Sequence, residues 1–316
     1  MKVLVWQTAY LGDVVLATSL LQNAVDIFGE YSVGFVGRPF IKDVLYGYPV
    51  ELYPYDRSLK DSFDIIKAIK GYDAVLSLHV SFRSALMLYL SGIKKRIGFD
   101  RSEGKFLYTD LIPYQEKGIH EIERNIKLLE LLISKKLTPK PPKLYIEEGL
   151  KEAVKRKFNL PLSFIAISPI SNFFLKTWKQ EHFVKLSKFL DKPVVILSDK
   201  RLEAFDNIKN VLNLSGLTSL KEFLAVVSLS SLVISNDSSS VHIANAFGIK
   251  AISIYCATSA SYGFYPINGF YLEPKLYCHP CSINPKSCKT KTYKCLDFVK
   301  PEDVLEKVKT IHDLFI

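Results

Sequence analysis

The sequence predicts an α/β protein made of two doubly wound, Rossmann-like parallel-sheet domains. Short apolar runs that end in turn residues alternate with longer segments of helical periodicity, which is typical of βαβ units. The length of 316 residues exceeds what one hydrophobic core usually serves, and 48% hydrophobic residues suffice for two cores. A segment rich in lysine and proline at 135–143 breaks both periodicities, so we expect domains at 1–140 and 141–316.

The periodicity also predicts the individual elements. In the first domain we expect strands at 2–6, 32–36, 50–53, 74–78 and 96–99, and helices at 13–28, 62–69, 82–90 and 119–133. In the second we expect strands at 164–168, 194–197, 232–235 and 251–255, and helices at 180–190, 220–228, 239–247 and 301–314. Ligands of such folds bind at the carboxyl ends of the strands, so we expect the two domains to face each other across a cleft.

Composition limits the class of partner. No apolar run approaches the roughly 20 residues that cross a bilayer, and the N-terminus lacks the layout of a signal peptide, so we expect a cytoplasmic protein. The net charge of +10 favours an acidic partner such as nucleic acid, anionic lipid or a phosphorylated substrate. Nucleic acid is disfavoured, because the lysines form no block and no nucleic-acid-binding signature is present.

Four cysteines fall within 18 residues, in a C-x2-C-x6-C-x6-C arrangement: Cys278, Cys281, Cys288 and Cys295. Their spacing is compatible with a structural zinc, with disulfide bonds or with free thiols. In each case we expect the loop 278–295 to have a structural role.

The segment 236–242 follows a predicted strand and opens a predicted helix. The unpaired N–H groups at a helix start favour an anionic ligand such as a phosphate. The alternative is that Asp237 or Ser238 only caps the helix.

The turn after the first strand offers one carboxylate, Asp13, beside Gly12. It lacks a G-x-G-x-x-G pattern, so a dinucleotide cofactor is not indicated. Asp13 could take a proton from a hydroxyl nucleophile as a general base, or it could simply stabilise the start of the helix.

Basic side chains follow other predicted strands. Lys176 precedes a helix in the second domain and could contact a diphosphate leaving group, or it could be an ordinary surface lysine. Arg83, Arg101 and Arg124 give the first domain a basic character that suits an anionic acceptor, although some of these arginines will be ordinary surface charges.

Three segments together resemble glycosyltransferase family 9, the ADP-heptose:lipopolysaccharide heptosyltransferases, and most of all the heptosyltransferase II type. The segment 11–18 is similar to the family's first loop, 72–125 to its middle region, and 236–258 to its donor-binding signature. The likeness covers nearly the whole chain.

This resemblance implies a GT-B fold and an inverting transfer of heptose from ADP-heptose to a phosphorylated lipid A and Kdo acceptor, without a cofactor or catalytic metal. By position, Asp13 is the catalytic base. The implied donor-binding residues are Lys176, Thr177, Asp237, Ser238, Ser239, His242 and Thr258. The implied acceptor-binding residues are Gly12, Arg83, Arg101 and Arg124. We also expect a monomer that is peripheral at the anionic inner face of the inner membrane.

Two departures leave the donor open. The family usually has glycine where Ser239 stands, and Gly-Pro where Cys256 and Ala257 stand. A Cβ at position 239 could limit the approach of the backbone to a diphosphate. The alternatives are a family 9 transferase of another sugar nucleotide, or a non-catalytic basic protein that binds nucleotides or RNA. An epimerase of related fold is disfavoured, because the sequence lacks a clear cluster of acidic residues and histidines.

Overall fold

The protein consists of two compact units, and the computed structural model describes residues 1–313. The first unit is Met1–Tyr145, and the second begins at Ile146. The sequence-based boundary after residue 140 lies slightly earlier, because the chain that follows still packs on the first unit. Lys143 N donates to Thr18 Oγ1 over 3.0 Å, and the Tyr145 ring lies edge-on to Tyr48 at 5.4 Å.

The first unit is built on a six-stranded sheet in which every pairing is parallel. Its strands are β1 (Val3–Trp6), β2 (Val33–Gly37), β3 (Glu51–Pro54), β4 (Ala74–Ser77), β5 (Lys95–Phe99) and β6 (Asp110–Ile112). Their spatial order is β3-β2-β1-β4-β5-β6, so the direction of winding reverses between β1 and β4. Both of these strands are wholly buried, as expected for apolar central strands.

Helices cover both faces of this sheet. They are α1 (Leu11–Phe28), α2 (Ile41–Val44), α3 (Leu59–Ala68), α4 (Phe82–Leu90) and α5 (Glu121–Ile133). Ile65 of α3 and Ala85 of α4 share an apolar cluster with Leu4 and Trp6 of β1. Helix α1 packs against α5. Because crossovers are right-handed and the winding reverses, α1 lies on the face opposite to α3 and α4.

The second unit repeats this plan. Its strands are β7 (Ile165–Ser168), β8 (Val194–Ile196), β9 (Val211–Asn213), β10 (Leu232–Asn236), β11 (Ala251–Ile254) and β12 (Gly269–Leu272), in the order β12-β11-β10-β7-β8-β9. Its helices are α6 (Glu148–Phe158), α7 (Gln180–Phe189), α8 (Leu220–Ser228), α9 (Ser239–Ala246) and α10 (Pro301–Asp313). A core around Trp178, Phe183 and Phe205 holds the helices to the sheet, and α10 packs against α7.

The elements missed from the sequence are short or polar. Strands β6 and β9 have three residues each, and neither they nor β12 contain a fully buried residue. Helix α2 has four residues, and Val154 is the buried residue of the charged helix α6. The short strands and α2 have no strong apolar period, and in α6 the period formed by Leu150, Val154 and Phe158 lies among charged residues. The predicted end of the last helix at residue 314 lies outside the described residues.

Helix α1 qualifies a composition-based expectation. Within residues 1–313 it alone has the length, 18 residues, and the apolar composition of a membrane span, although its sequence is not an uninterrupted apolar run. A core helix meets the same criteria, and α1 buries most of its length while packing on α5. Its polar side chains also hold the connecting segment: Asn23 Nδ2 donates to Thr138 O over 3.2 Å, and Gln22 Nε2 donates to Pro141 O over 2.9 Å.

Candidate active site

The predicted site residues lie largely around the two points where strand order reverses. In doubly wound sheets, the loops at the carboxyl ends of the strands diverge at such points and leave a ligand crevice. In the first unit, Asp13 follows β1 and the segment 78–81 follows β4. In the second, Lys176 follows β7 and Asp237 follows β10. Each unit therefore presents its charged side chains at the edge where this fold binds ligands.

Asp13 lies in the first turn of α1, beside Gly12, and is half-buried. Its Oδ2 accepts a hydrogen bond from Tyr10 N over 3.1 Å, so the carboxylate does stabilise the helix start. An ionised carboxylate has two oxygens and about four acceptor positions. Bonding at the helix start is therefore compatible with accepting a proton from a substrate hydroxyl.

A buried ion pair on α5 lies close enough to Asp13 to interact with it electrostatically. Arg124 is 0% exposed and pairs with the Glu121 carboxylate, while its Nε donates to Gln115 O over 2.9 Å. Burial raises the pKa of Glu121 to about 7, because desolvation outweighs the attraction of Arg124, and the charge of Asp13 raises it further. Sequence reasoning missed Glu121, although its i,i+3 spacing from Arg124 on a predicted helix is the signal for such a pair.

Tyr114 links two of the predicted acceptor arginines. The guanidinium of Arg101 lies 4.9 Å from the Tyr114 ring centre, and that of Arg124 lies 4.7 Å from it. Arg101 is exposed and pairs with Glu116 at 3.1 Å. This placement favours Arg101 for direct contact with an anionic acceptor and favours an internal, positioning role for the fully buried Arg124.

A second polar group lies after β4. His79 Nδ1 is 2.8 Å from Thr8 Oγ1, and burial, reinforced by the charge of Arg57, lowers the pKa of His79 to about 4. The imidazole is therefore neutral near pH 7. Arg83 is exposed at the start of α4 and donates to Arg57 O over 2.6 Å. Sequence reasoning missed His79, and the signal for it was its position directly after a buried strand.

In the second unit, three of the predicted donor residues meet. Lys176 Nζ lies 3.0 Å from Asp237 Oδ2, and Thr258 Oγ1 donates to the same oxygen over 2.9 Å. The Lys176 and Asp237 side chains are only 15% and 10% exposed, so Lys176 is not an ordinary surface lysine. An ammonium group has three donors, and the bond to Asp237 leaves others to meet a phosphate.

Asn236 holds the loops on either side of this ion pair. It is fully buried, its Nδ2 donates to Pro169 O over 2.8 Å, and its Oδ1 accepts from Trp178 N over 2.8 Å. One side chain thus ties the loop after β7 to the end of β10. This positions the backbone on both sides of Lys176.

The start of α9 is the expected anion-binding element. Ser238 is the N-cap residue, and its Oγ accepts from Ser240 N over 3.3 Å. Ser235 Oγ lies 2.8 Å from Ser238 Oγ, and Ser240 Oγ donates to Ser168 Oγ over 2.9 Å. Ser239 is the first helical residue and is half-buried. The N-terminal end of the helix dipole therefore lies directly after Asp237.

Two predicted donor residues contact other parts of the second unit. Thr177 Oγ1 donates to Phe173 O over 3.1 Å, which closes the turn that carries Lys176. His242 is buried, with its ring centre 6.3 Å from that of Phe264. Thr177 therefore supports the Lys176 turn, and a direct donor contact by either residue stays a prediction.

The clustered cysteines are free thiols. Cys295 is buried, and Cys281 and Cys288 pack against the core of the second unit. Among residues 1–313, no group of three or more His, Cys, Asp or Glu side chains is arranged to hold a metal ion, so the geometry does not support the structural zinc considered above. Hydrogen bonds from Thr290 and from the Tyr293 backbone lower the pKa of Cys288 to about 7, whereas burial raises the pKa of Cys295 to about 11.

Comparisons with known proteins identify the family and the fold. A family model described as glycosyltransferase family 9 (heptosyltransferase) matches residues 63–288, well over half of the chain. The chain is 24% identical to lipooligosaccharide heptosyltransferase 2 of Campylobacter jejuni over 98% of both sequences. The glycosyl transferase family 9 structure from Veillonella parvula matches with a TM-score of 0.81 and 19% identity, over 98% of this chain and 96% of that one.

A second solved structure, the ADP-heptose lps heptosyltransferase II of E. coli, has a TM-score of 0.77 and 21% identity over 98% of both chains. These likenesses confirm the two-domain GT-B fold expected from the resemblance. Together with the family match, they show that the chain belongs to glycosyltransferase family 9, the heptosyltransferases, and is a glycosyltransferase.

Proposed function

We propose that this protein transfers a heptose from ADP-heptose to the Kdo and lipid A inner core of lipopolysaccharide, with inversion at C1 and without a catalytic metal. The observation that carries the proposal is the nearly buried Lys176, Asp237 and Thr258 cluster directly before the α9 N-terminus. A cation beside a helix start provides the positive potential that a diphosphate requires. Family membership supports the assignment of that diphosphate to a sugar nucleotide.

In the proposed reaction, an acceptor hydroxyl attacks C1 of the heptose and the bond from C1 to the diphosphate oxygen breaks. The Asp13 carboxylate takes the hydroxyl proton, and ADP departs with the electron pair of the broken bond. One base and no enzyme nucleophile correspond to a single displacement, which inverts C1. Lys176 and the α9 N-terminus stabilise the charge on ADP, each by about 2–4 kcal/mol in such sites.

The first unit would hold the acceptor. Arg83 and Arg101 are exposed arginines close to its ligand-binding edge, and arginine forks suit the carboxylate of Kdo and the phosphates of lipid A. Because the acceptor is a membrane glycolipid, we propose that the reaction takes place at the cytoplasmic face of the inner membrane.

The names of the relatives support the donor and acceptor. The E. coli structure is that of an ADP-heptose lps heptosyltransferase, and the Campylobacter jejuni relative is a lipooligosaccharide heptosyltransferase. Ser239 stands where the family usually has glycine, so the experiment tests the donor.

The test is a donor panel. Purified protein is incubated with a Kdo and lipid A acceptor and with ADP-heptose, UDP-sugars or GDP-sugars. The mass of the product is measured by mass spectrometry. We expect transfer from ADP-heptose alone, in the presence of EDTA. Transfer from a UDP- or GDP-sugar would show that this sugar nucleotide, and not ADP-heptose, is the donor. An absence of transfer from every donor, with nucleotide binding retained, would favour a non-catalytic nucleotide-binding protein.

A further inference from the structure

Helix α4 exposes an apolar surface where a helix of a soluble domain is usually polar. Its sequence, Phe-Arg-Ser-Ala-Leu-Met-Leu-Tyr-Leu, contains one charged residue. The buried face is formed by Ser84, Ala85, Met87 and Leu88. The outer face carries Phe82, Leu86, Tyr89 and Leu90, which are 44%, 37%, 52% and 54% exposed. A helix that is apolar on all sides is normally covered on all sides.

The adjacent turn extends this surface. Phe106 lies in the 3-10 turn Lys105–Leu107 and is 73% exposed, with its ring centre 6.4 Å from that of Phe82. Gly104 lets the turn pack closely on the helix, because a Cβ at this position would lie 2.5 Å from Ala85 Cβ. Phe82, Leu86, Tyr89, Leu90 and Phe106 therefore line one side of the first unit, and we call them the α4 patch.

Basic residues outnumber acidic ones in the segment that carries the α4 patch. The segment 82–107 contains six basic residues, Arg83, Lys94, Lys95, Arg96, Arg101 and Lys105, against two acidic ones, Asp100 and Glu103. The Arg96 guanidinium lies 5.5 Å from the centre of the Tyr89 ring, at the border of the patch. Lys95 is paired with Asp110 at 2.8 Å, whereas Lys94 and Lys105 are exposed.

These features together match the chemistry of an anionic lipid surface. Aromatic and leucine side chains enter the boundary between headgroups and acyl chains, while lysines and arginines remain at the level of the phosphates. The patch lies on the outside of a helix and a turn, and it begins at Phe82, next to the predicted acceptor residue Arg83 at the start of α4. A lipid held there would have its headgroup near the ligand-binding edge of the first unit.

We propose that the α4 patch and its basic border dock the protein on the anionic bilayer that carries its glycolipid acceptor. The identity of that acceptor rests on the proposed function, whereas binding to the bilayer does not. Each lysine near an anionic surface contributes about a fivefold change in partitioning. Both the charge and the apolar contacts should therefore be measurable.

The test is co-sedimentation of the full chain with vesicles of phosphatidylcholine alone or mixed with phosphatidylglycerol. We expect binding to the mixed vesicles that is severalfold weaker in high salt, because salt screens the attraction. The double variant Leu90→Ser with Phe106→Ser should lose most of this binding. Its matched control, Leu162→Ser with Tyr277→Ser, changes two residues of the second unit that are 106% and 93% exposed and should bind as the wild type does.

Two charge-reversal variants test the contribution of the basic border. Lys94→Glu with Lys105→Glu should weaken binding at least tenfold, while Lys188→Glu with Lys209→Glu, an equal change on exposed lysines of the second unit, should have a much smaller effect. Melting temperatures equal to that of the wild type confirm that each variant is folded. Vesicle binding as strong as that of the wild type by both α4 variants would overturn the proposal. This is the result expected if the patch binds a protein and not a bilayer.

Activity separates this proposal from the proposed function. The α4 variants should transfer sugar to a deacylated, water-soluble acceptor at the wild-type rate and to an acceptor in vesicles several times more slowly. Equal losses with both acceptors would contradict a docking role. Patch-dependent vesicle binding without any heptosyl transfer would support docking and refute the proposed activity.

Discussion

Asp13 combines a structural and a proposed chemical role in one side chain. Its Oδ2 holds the Tyr10 N–H at the start of α1, and the same carboxylate is the proposed base. Replacing Asp13 with asparagine separates the two roles. The amide oxygen can still accept the hydrogen bond from Tyr10 N, but an amide is not a useful base at neutral pH.

We therefore expect Asp13→Asn to lower kcat by about 10²- to 10⁴-fold, the usual contribution of a general base. Its melting temperature should stay close to that of the wild type, and its Kd for ADP should be unchanged. Asp13→Ala should lose the same activity and about 1 kcal/mol of stability as well, because it removes the acceptor at the helix start. Near-normal turnover by Asp13→Asn would refute the assignment of the base.

Glu121 makes stability depend on pH in a defined direction. Its pKa is about 7 in the folded protein, compared with an ordinary value of 4.5. Between these values the unfolded chain has released the proton that the folded protein still holds. The free energy of unfolding should therefore fall as pH rises through this interval and change no further through this group above it.

The variant Glu121→Gln should remove this dependence. Urea unfolding of the wild type and the variant, measured at several values between pH 4.5 and about 7.5, isolates the contribution of this carboxyl. We expect the stability of the wild type relative to the variant to decline by about 2–3 kcal/mol over this range. A constant difference between the two proteins would show that folding does not raise the pKa of Glu121.

The ion pair of Lys176 and Asp237 permits a double-mutant cycle. Lys176→Met leaves the nearly buried Asp237 charge without its ammonium partner, which should cost about 3 kcal/mol of stability. Adding Asp237→Asn should recover most of that stability but not the binding of ADP, because the cation proposed to meet the diphosphate is still absent. Recovery of ADP affinity by the double variant would show that Lys176 acts only on Asp237.

At the scale of single elements, helix α9 is the one whose first residue matters most. Ser238 already caps the helix, so Ser239 is not needed for that purpose. A glycine at the first helical position would bring the backbone nearer to a diphosphate, because it has no Cβ.

We expect Ser239→Gly to tighten ADP binding severalfold at a cost of up to about 1 kcal/mol in stability. Ser239→Ala retains the Cβ and serves as the control, with an unchanged Kd for ADP. Isothermal titration with ADP and thermal unfolding measure the two effects. Equal affinities for the glycine and alanine variants would mean that the Cβ does not limit the approach of the diphosphate.

Other elements show how far periodicity determines structure. Helices α4 and α8 were predicted to the residue, since each has a continuous apolar period between polar turn segments. Strands β6, β9 and β12 were missed because partly exposed strands at the edge of a sheet do not need an apolar pattern. The exposed face of α4 has no explanation inside the first unit, and the proposed docking on lipid supplies one.

At the scale of the whole molecule, the two units have separate cores and separate proposed tasks. Donor binding is assigned to the second unit, where Lys176 and Asp237 lie, and the base and acceptor residues are assigned to the first. A ligand that binds a folded site stabilises the elements that form it.

We therefore expect ADP to slow amide hydrogen exchange in the second unit, mainly after β7 and at the start of α9. Exchange in the central strands of the first unit should be unaffected. The measurement compares the full chain with and without ADP, and Lys176→Met at the same ADP concentration is the control. Protection confined to the first unit would reverse the assignment of donor and acceptor.

The sequence by itself determined the fold class, most central strands, the family and the residue types of the candidate site. These features depend on local patterns that can be read along the chain: the alternation of strands and helices, the turns at glycine and proline, and the residues that cap helices. Only the tertiary structure brought Lys176, Asp237 and Thr258 to one carboxylate oxygen, buried Arg124 against Glu121 beside Asp13, and left the thiols of the 278–295 loop free. Those outcomes depend on which strands are neighbours and on which side chains lose solvent, and both follow from long-range packing.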